Sequence, residues 1–249
     1  MPKDRTRKFI CKIVLAGICL LISVPLGAWE LASITTGIAG GNGMQYESEL
    51  QSVKGLGVKI QAEWLIGRNW YLTLSSDHLK YNLADDQAHL NWGWDYWLKI
   101  YGYTVFTLGQ DPVYDVNLEP HQIVKVKPVT IGLSKILFAK RRLHPVFGLE
   151  AGVVWYERKM WLEENWSKNF PSIDYTFEYD FRNYANTRSG WVNTVSLSAE
   201  LQADLSKYFA LSAGVEGCKY FQDWDNSGNF PMNSCLQAFL ELQILYGRK

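Results

Sequence analysis

Residues 191–205 read WVNTVSLSAELQADL, and their two faces are opposite in character. Trp191, Val195, Leu197, Ala199, Leu201, Ala203 and Leu205 share one parity, interrupted only by Asn193. Val192, Thr194, Ser196, Ser198, Glu200, Gln202 and Asp204 share the other. Side chains alternate across an extended strand, so this is a ribbon with one apolar and one polar side. Two architectures use such ribbons: a sheet packed on a core, and a barrel whose outer wall stands in a lipid bilayer.

The same period recurs along the chain. Residues 54–66 set Leu56, Val58, Ile60, Ala62, Trp64 and Ile66 against Lys59, Gln61 and Glu63. Residues 145–158 set Phe147, Leu149, Ala151, Val153 and Trp155 against Gly148, Glu150, Gly152, Tyr156 and Arg158. Residues 209–221 and 236–246 repeat the pattern, with Glu216, Cys218, Glu241 and Gln243 on the polar side. Residues 29–41, 70–83 and 121–137 match more roughly, and Pro128 predicts a bulge or an interrupted ladder in the last of these. That predicts eight strands.

Connection lengths then order them. Gly67-Arg68-Asn69, Phe138 to Leu143 and Ser206-Lys207-Tyr208 are short; 42–51, 84–120, 160–189 and 225–234 are long. Strict alternation of short and long is the mark of an up-and-down barrel with tight turns at one end and large loops at the other. An even strand number returns both termini to the side of the tight turns. A ten-stranded variant would recruit 92–106 and 173–181 as two further strands.

The first residues supply an address. Lys3, Arg5, Arg7, Lys8 and Lys12 precede an apolar run from Ile13 to Val24, and Pro25 to Ala28 offer a small-residue cleavage site before Trp29. This is the anatomy of a secretory signal peptide over residues 1–28, and the run is shorter than the roughly 20 residues of a membrane-spanning helix. The leader carries five of the 25 basic and one of the 25 acidic residues, which leaves the other 221 at a net charge of −4. No basic stripe remains, which argues against a nucleic-acid partner.

The apolar face consists of Leu, Val, Ala and Ile bounded by aromatic residues. Trp64, Trp70, Phe147, Phe209 and Tyr246 lie beside the short turns, and Trp155, Trp191 and Phe221 lie at the loop ends. From Phe147 to Trp155 a tilted strand rises roughly 20 Å. Two aromatic girdles around an apolar band of that height predict that the apolar face meets lipid. Lys59, Glu63, Glu150, Glu200, Gln202, Glu216 and Glu241 then form a polar network in the lumen. The fold class is all-β, an antiparallel transmembrane β-barrel.

The run His144-Pro145-Val146-Phe147-Gly148-Leu149-Glu150-Ala151-Gly152, the hairpin from Trp191 to Gln222 and the closing strand ending in Tyr246 resemble the small eight-stranded outer-membrane β-barrel superfamily. That superfamily includes the OmpX, OmpW and opacity-protein types. The resemblance implies the outer membrane of a Gram-negative bacterium, with lipid and lipopolysaccharide around the wall. These barrels usually end on an aromatic residue, whereas Gly247-Arg248-Lys249 follow Tyr246 here.

Chemistry is sparse. Residues 84–120 hold Trp92, Trp94, Tyr96, Trp97, Tyr101, Tyr103, Phe106 and Tyr114; residues 160–189 hold Trp161, Trp166, Phe170, Tyr175, Phe177, Tyr179, Phe181 and Tyr184. These rings either anchor a surface ligand such as a glycan or host protein, or pack on one another to order the loops. The alternation of Ile173 to Phe181 predicts strands or a hairpin projecting above the membrane. Ser76-Asp77-His78 is the one cluster suggesting a lipid A modifying enzyme, but in a strand Asp77 points away from the other two. No catalytic set, cofactor site or metal-ligand spacing is therefore expected. A narrow pore is the alternative to a structural, adhesive or recognition role. Cys218 and Cys235 stand opposite if the last hairpin centres between Asn226 and Ser227, which permits a disulfide in an oxidising compartment.

Overall fold

The computed structural model describes residues 30–44, 50–221 and 230–246. The leader at 1–28, the hairpin centre at Asn226–Ser227 and the terminal Gly247-Arg248-Lys249 lie outside the described residues.

The described residues form nine strands: β1 (Glu30–Met44), β2 (Ser52–Gly67), β3 (Trp70–Ala84), β4 (Tyr114–Ile136), β5 (Leu143–Phe170), β6 (Tyr175–Tyr184), β7 (Arg188–Asp204), β8 (Phe209–Phe221) and β9 (Ser234–Leu245). Eight of them close a ring. β1 to β4 pair in succession, β4 pairs with β5, β5 with β7, and β7, β8 and β9 lead back to β1. All these pairings are antiparallel. Closure leaves no free edge in the ring, which a bilayer core requires because lipid cannot hydrogen-bond an exposed backbone.

The faces are inverted relative to a water-soluble sheet. Leu197 is 63 % exposed and Ser196 beside it 3 %. Ile38, Leu56, Val58, Ile60, Leu149, Val215 and Leu240 are likewise exposed, while Ser33, Thr35, Gln61, Ser75, Thr194, Gln202 and Gln243 are buried. An apolar wall around a polar filling is stable only where the wall meets hydrocarbon.

Pro128 interrupts the β3–β4 ladder without shifting it. Pairing runs to Ser76↔Val129, resumes at Leu79↔Val126 and stays in phase, so no bulge forms. The missing proline N–H is sufficient cause.

Ten ring strands do not form. Most of residues 92–106 is helical, in a π-helical turn (Trp97–Tyr101) continuing into α2 (Gly102–Leu108) after α1 (Ala88–Asn91). Trp94, Trp97, Tyr101, Val105 and Leu108 recur every three or four residues, and this helical period prevails over the strand propensity of the aromatics. β6 covers 173–181 almost entirely, but it pairs only with the far half of β5, from Phe170↔Tyr175 to Trp161↔Tyr184. The regions at 84–120 and 160–189 are thus largely ordered elements. β4 and β5 run on past the ring, paired as far as Tyr114↔Lys168, and with β6 they build a three-stranded sheet beyond its mouth.

Candidate functional site

Three layers stack along the barrel axis. The lowest is polar. Glu63 accepts hydrogen bonds from Ser33 Oγ at 2.6 Å and Gln61 Nε2 at 3.1 Å. Glu150 accepts from Thr73 Oγ1 at 3.3 Å, from Ser75 Oγ at 2.5 Å and from Thr130. Lys59 Nζ lies 3.1 Å from Glu216 Oε2 and 3.6 Å from Glu241 Oε1, and Gln237 Nε2 donates to Glu216 at 3.1 Å. Lys59, Glu63, Glu150, Gln202, Glu216 and Glu241 are buried within the ring, and Glu200 is half-buried on the same parity. Lys59, Glu63, Glu150 and Glu216 each keep two or more partners, the condition for tolerating a buried charge, whereas Glu241 faces Lys59 and its Oε1 accepts no hydrogen bond.

The middle layer is apolar and fills the upper lumen. Val53, Leu79, Tyr81, Val124, Val126, Val154, Tyr156, Val192 and Tyr220 pack with Phe230 and Met232, which enter from the chain between β8 and β9. Gly55 leaves the space that the Tyr81 ring occupies; a Cβ there would collide with it. Sequence periodicity predicted a polar interior throughout and missed this layer. Close-packed side chains occupy the bore.

The third layer is a head outside the ring. Trp92 closes the mouth: Arg158 and Arg188 lie over its ring at 5.0 and 4.5 Å, Arg188 donates to its carbonyl, and its Nε1 donates to Asn186 O at 3.2 Å. Arg158 is oriented by Gln122, to which its Nε and Nη2 donate at 3.0 and 2.7 Å. Above the clamp, Trp92, Trp94, Trp97, Val105, Met160, Leu162 and Trp166 form a separate core. Buried Glu164 holds it in register by accepting from Tyr101 Oη at 3.0 Å, Trp166 Nε1 at 3.0 Å and Asn183 Nδ2 at 2.5 Å. Burial and the Glu164 charge hold the Tyr101 phenol above its usual range. Burial pushes His89 below its usual value, partly offset by Asp85.

The loop aromatics thus divide. Trp92, Trp94, Trp97 and Trp166 are internal, whereas Tyr96, Tyr103, Phe106, Tyr175, Phe177, Tyr179 and Tyr184 are exposed. Tyr179 stacks on Trp166 at 6.2 Å and on Phe181 at 6.3 Å, with Phe177 at 5.5 Å, so the exposed rings stand on a fixed row. A groove of about 650 Å³ runs between the helical segment and β4, lined by His89, Trp97, Leu98, Tyr103, Phe106 and Leu118.

The girdle residues lie on the outer wall. Trp155 and Trp191 face each other across β5 and β7. Trp70, Phe147, Phe209, Phe221 and Tyr246 are exposed; Trp64 and Trp155 are half-covered. Lys127 lies over Trp155 at 5.1 Å and Lys135 over Trp70 at 4.8 Å, so a lysine–tryptophan pair marks each rim. Such pairs place the charge at the water side of an interfacial ring. Cys218 and Cys235 are partners in the β8–β9 register, and both are free thiols. Asp77 is buried toward the lumen while Ser76 and His78 are exposed on the outer wall, which separates the members of that cluster. His144 is wholly buried, with Nδ1 3.2 Å from Arg141 O.

These features define an eight-stranded, up-and-down barrel with an apolar outer wall, a filled bore and an ordered head. The chain is similar to small outer-membrane barrels of known structure, among them Neisserial surface protein A (10 % identity, 86 % of this chain and 96 % of that one, TM-score 0.45). Others are the attachment invasion locus protein Ail of Yersinia pestis bound to the heparin analogue sucrose octasulfate (10 %, 87 % and 98 %, 0.45) and OprG of Pseudomonas aeruginosa (9 %, 86 % and 92 %, 0.38). No family model matches the chain, and no characterised protein sequence does either.

Proposed function

We propose that this protein is a non-enzymatic cell-surface barrel of the Gram-negative outer membrane, exported by a cleaved signal peptide, whose head recognises a glycan or protein outside the cell. Lipid and lipopolysaccharide surround its girdled wall. The observation that carries the reading is the exposed aromatic row Tyr175, Phe177 and Tyr179 fixed on a sheet continuous with the barrel. Rigid, exposed aromatics are the side chains that supply most binding energy at recognition surfaces, and contiguous apolar exposure of this kind marks interaction sites. A packed bore disfavours conduction, and the separated Ser76, Asp77 and His78 disfavour hydrolytic chemistry.

The test is binding of cells displaying the protein to immobilised oligosaccharides and matrix proteins. Wild type binds, and the variant Tyr175→Ser/Phe177→Ser/Tyr179→Ser loses at least tenfold while keeping heat-modifiable migration in gels. Equal binding by the variant, or no binding by wild type to any of the panel, would refute the recognition reading.

A further inference from the structure

We propose that Glu119, His121 and Glu163 form a divalent-cation site on the outward face of the head sheet. The site is independent of the aromatic row, which occupies the other parity of β6. The β4–β5 register sets Glu119 directly opposite Glu163 and His121 opposite Trp161. Residues 119, 121 and 163 share one face, and one ligand atom from each lies within 4.8 Å of the other two.

Two carboxylates directly opposite each other on a sheet repel, so the arrangement calls for a positive partner. Arg182, opposite Glu163 across β6, supplies part of it: its Nε lies 2.8 Å from Glu163 Oε1. Trp161 Nε1 donates to that same oxygen at 3.2 Å. Both anchors take Oε1, leaving Oε2 to face His121. On the other strand Asn117 Nδ2 donates to Glu119 Oε1 at 2.8 Å, again holding one oxygen of the pair. Carboxylates tethered through one oxygen and presented through the other are the usual support of metal ligands.

His121 completes the set. Its ring stacks on Trp161 at 5.2 Å and 17°, which fixes its plane. Its Nε2 is buried without a hydrogen-bond partner, and Glu163 Oε2 lies 3.7 Å away. Ligands sharing a tetrahedral ion at about 2.0–2.1 Å sit roughly 3.3–3.5 Å apart, so a small closure brings these atoms to bonding distance. One imidazole nitrogen with two carboxylate oxygens suits a borderline ion of the zinc class. Calcium takes six to eight oxygens and has no use for the imidazole. Three protein ligands leave one position for water.

The experiment is calorimetric titration of zinc chloride into the chelator-treated, untagged full-length protein in micelles, with calcium chloride in parallel. One zinc per chain binds, His121→Gln weakens it at least tenfold, Glu119→Gln weakens it severalfold, and His78→Gln leaves it unchanged. Calcium binds at least tenfold more weakly than zinc. No zinc binding, equal zinc binding by His121→Gln, or calcium binding as tight as zinc would each overturn the proposal. All four proteins are first checked for heat-modifiable migration, so that loss of the site is distinguished from loss of the fold.

Discussion

Lys59 is the residue on which the lumen network turns, and Lys59→Met tests it. The ammonium sits 3.1 and 3.6 Å from Glu216 and Glu241, and all three side chains are under a tenth exposed. At an effective dielectric of about 20, each pair is worth about 5 kcal/mol of attraction. Desolvation of the ammonium, several kcal/mol, offsets much of this. Methionine fills the same space without charge and leaves two carboxylates confined beside each other. The expected net loss is about 3–5 kcal/mol, the range for breaking a buried ion pair from one side. Urea unfolding of the micelle-bound protein reads it: with a slope of about 2 kcal/mol per molar, the midpoint falls by roughly 2 M. Adding Glu216→Gln and Glu241→Gln to Lys59→Met removes the uncompensated charges and returns the midpoint to within about 0.5 M of wild type, because a neutral triad of similar shape is tolerated. A midpoint for Lys59→Met within about 0.3 M of wild type, or no recovery in the triple variant, contradicts the network as described.

Trp92→Ala removes the clamp between Arg158 and Arg188 and costs about 3–5 kcal/mol locally. Hydrogen exchange over 88–108 then quickens by at least a hundredfold while barrel strands keep their protection, and unchanged exchange counts against the clamp. His89, held below its usual value by burial, binds protons more readily unfolded than folded, so the head is at full stability above pH 6.5 or so. That stability declines as pH falls below this, and tryptophan emission followed from pH 7.5 to 5 shows a loosening that His89→Gln abolishes. Cys218 and Cys235, free thiols in this structure, are expected to bridge in protein taken from an oxidising compartment: Tyr220 N–H donates to Asn233 O at 2.9 Å, making 218/235 a hydrogen-bonded pair too, with Cα atoms about 5.5 Å apart, inside the bridging range. Alkylation of the denatured protein without reductant labels neither cysteine if this holds, and labelling of both rejects it.

The ring was legible because lipid imposes a strict rule. Every wall strand must alternate, and Leu197 against Ser196 or Val58 against Lys59 announces the outside directly. The head was harder to read because the rule reverses where water begins. On β5, apolar residues are odd-numbered and outward from Phe147 to Val153, then even-numbered and inward at Met160, Leu162 and Trp166. On β4, Val129, Ile131 and Leu133 face out, whereas Tyr114, Val116 and Leu118 turn to the head core. Tyr114 to Glu119 alternates cleanly, and only Pro120 concealed that the strand continues. The helical spacing from Trp94 to Leu108 was also present, masked by residues that favour strands. Glu163 lies far along the chain from Glu119 and His121, and only the register of a 23-residue strand against a 28-residue one makes them neighbours.

That pair of long strands has a further consequence. From Trp155 at the outer girdle to Phe170 at the tip, β5 continues without a linker, and β4 is bonded to it for most of that length. At about 3.4 Å per residue and a tilt of 35–45°, the tip stands roughly 35–40 Å above the girdle. A surface carried on a flexible tether samples many heights and loses affinity to that freedom. Here the height is set by two unbroken strands held in one hydrogen-bonded register, so whatever meets the head must approach to one fixed distance from the bilayer.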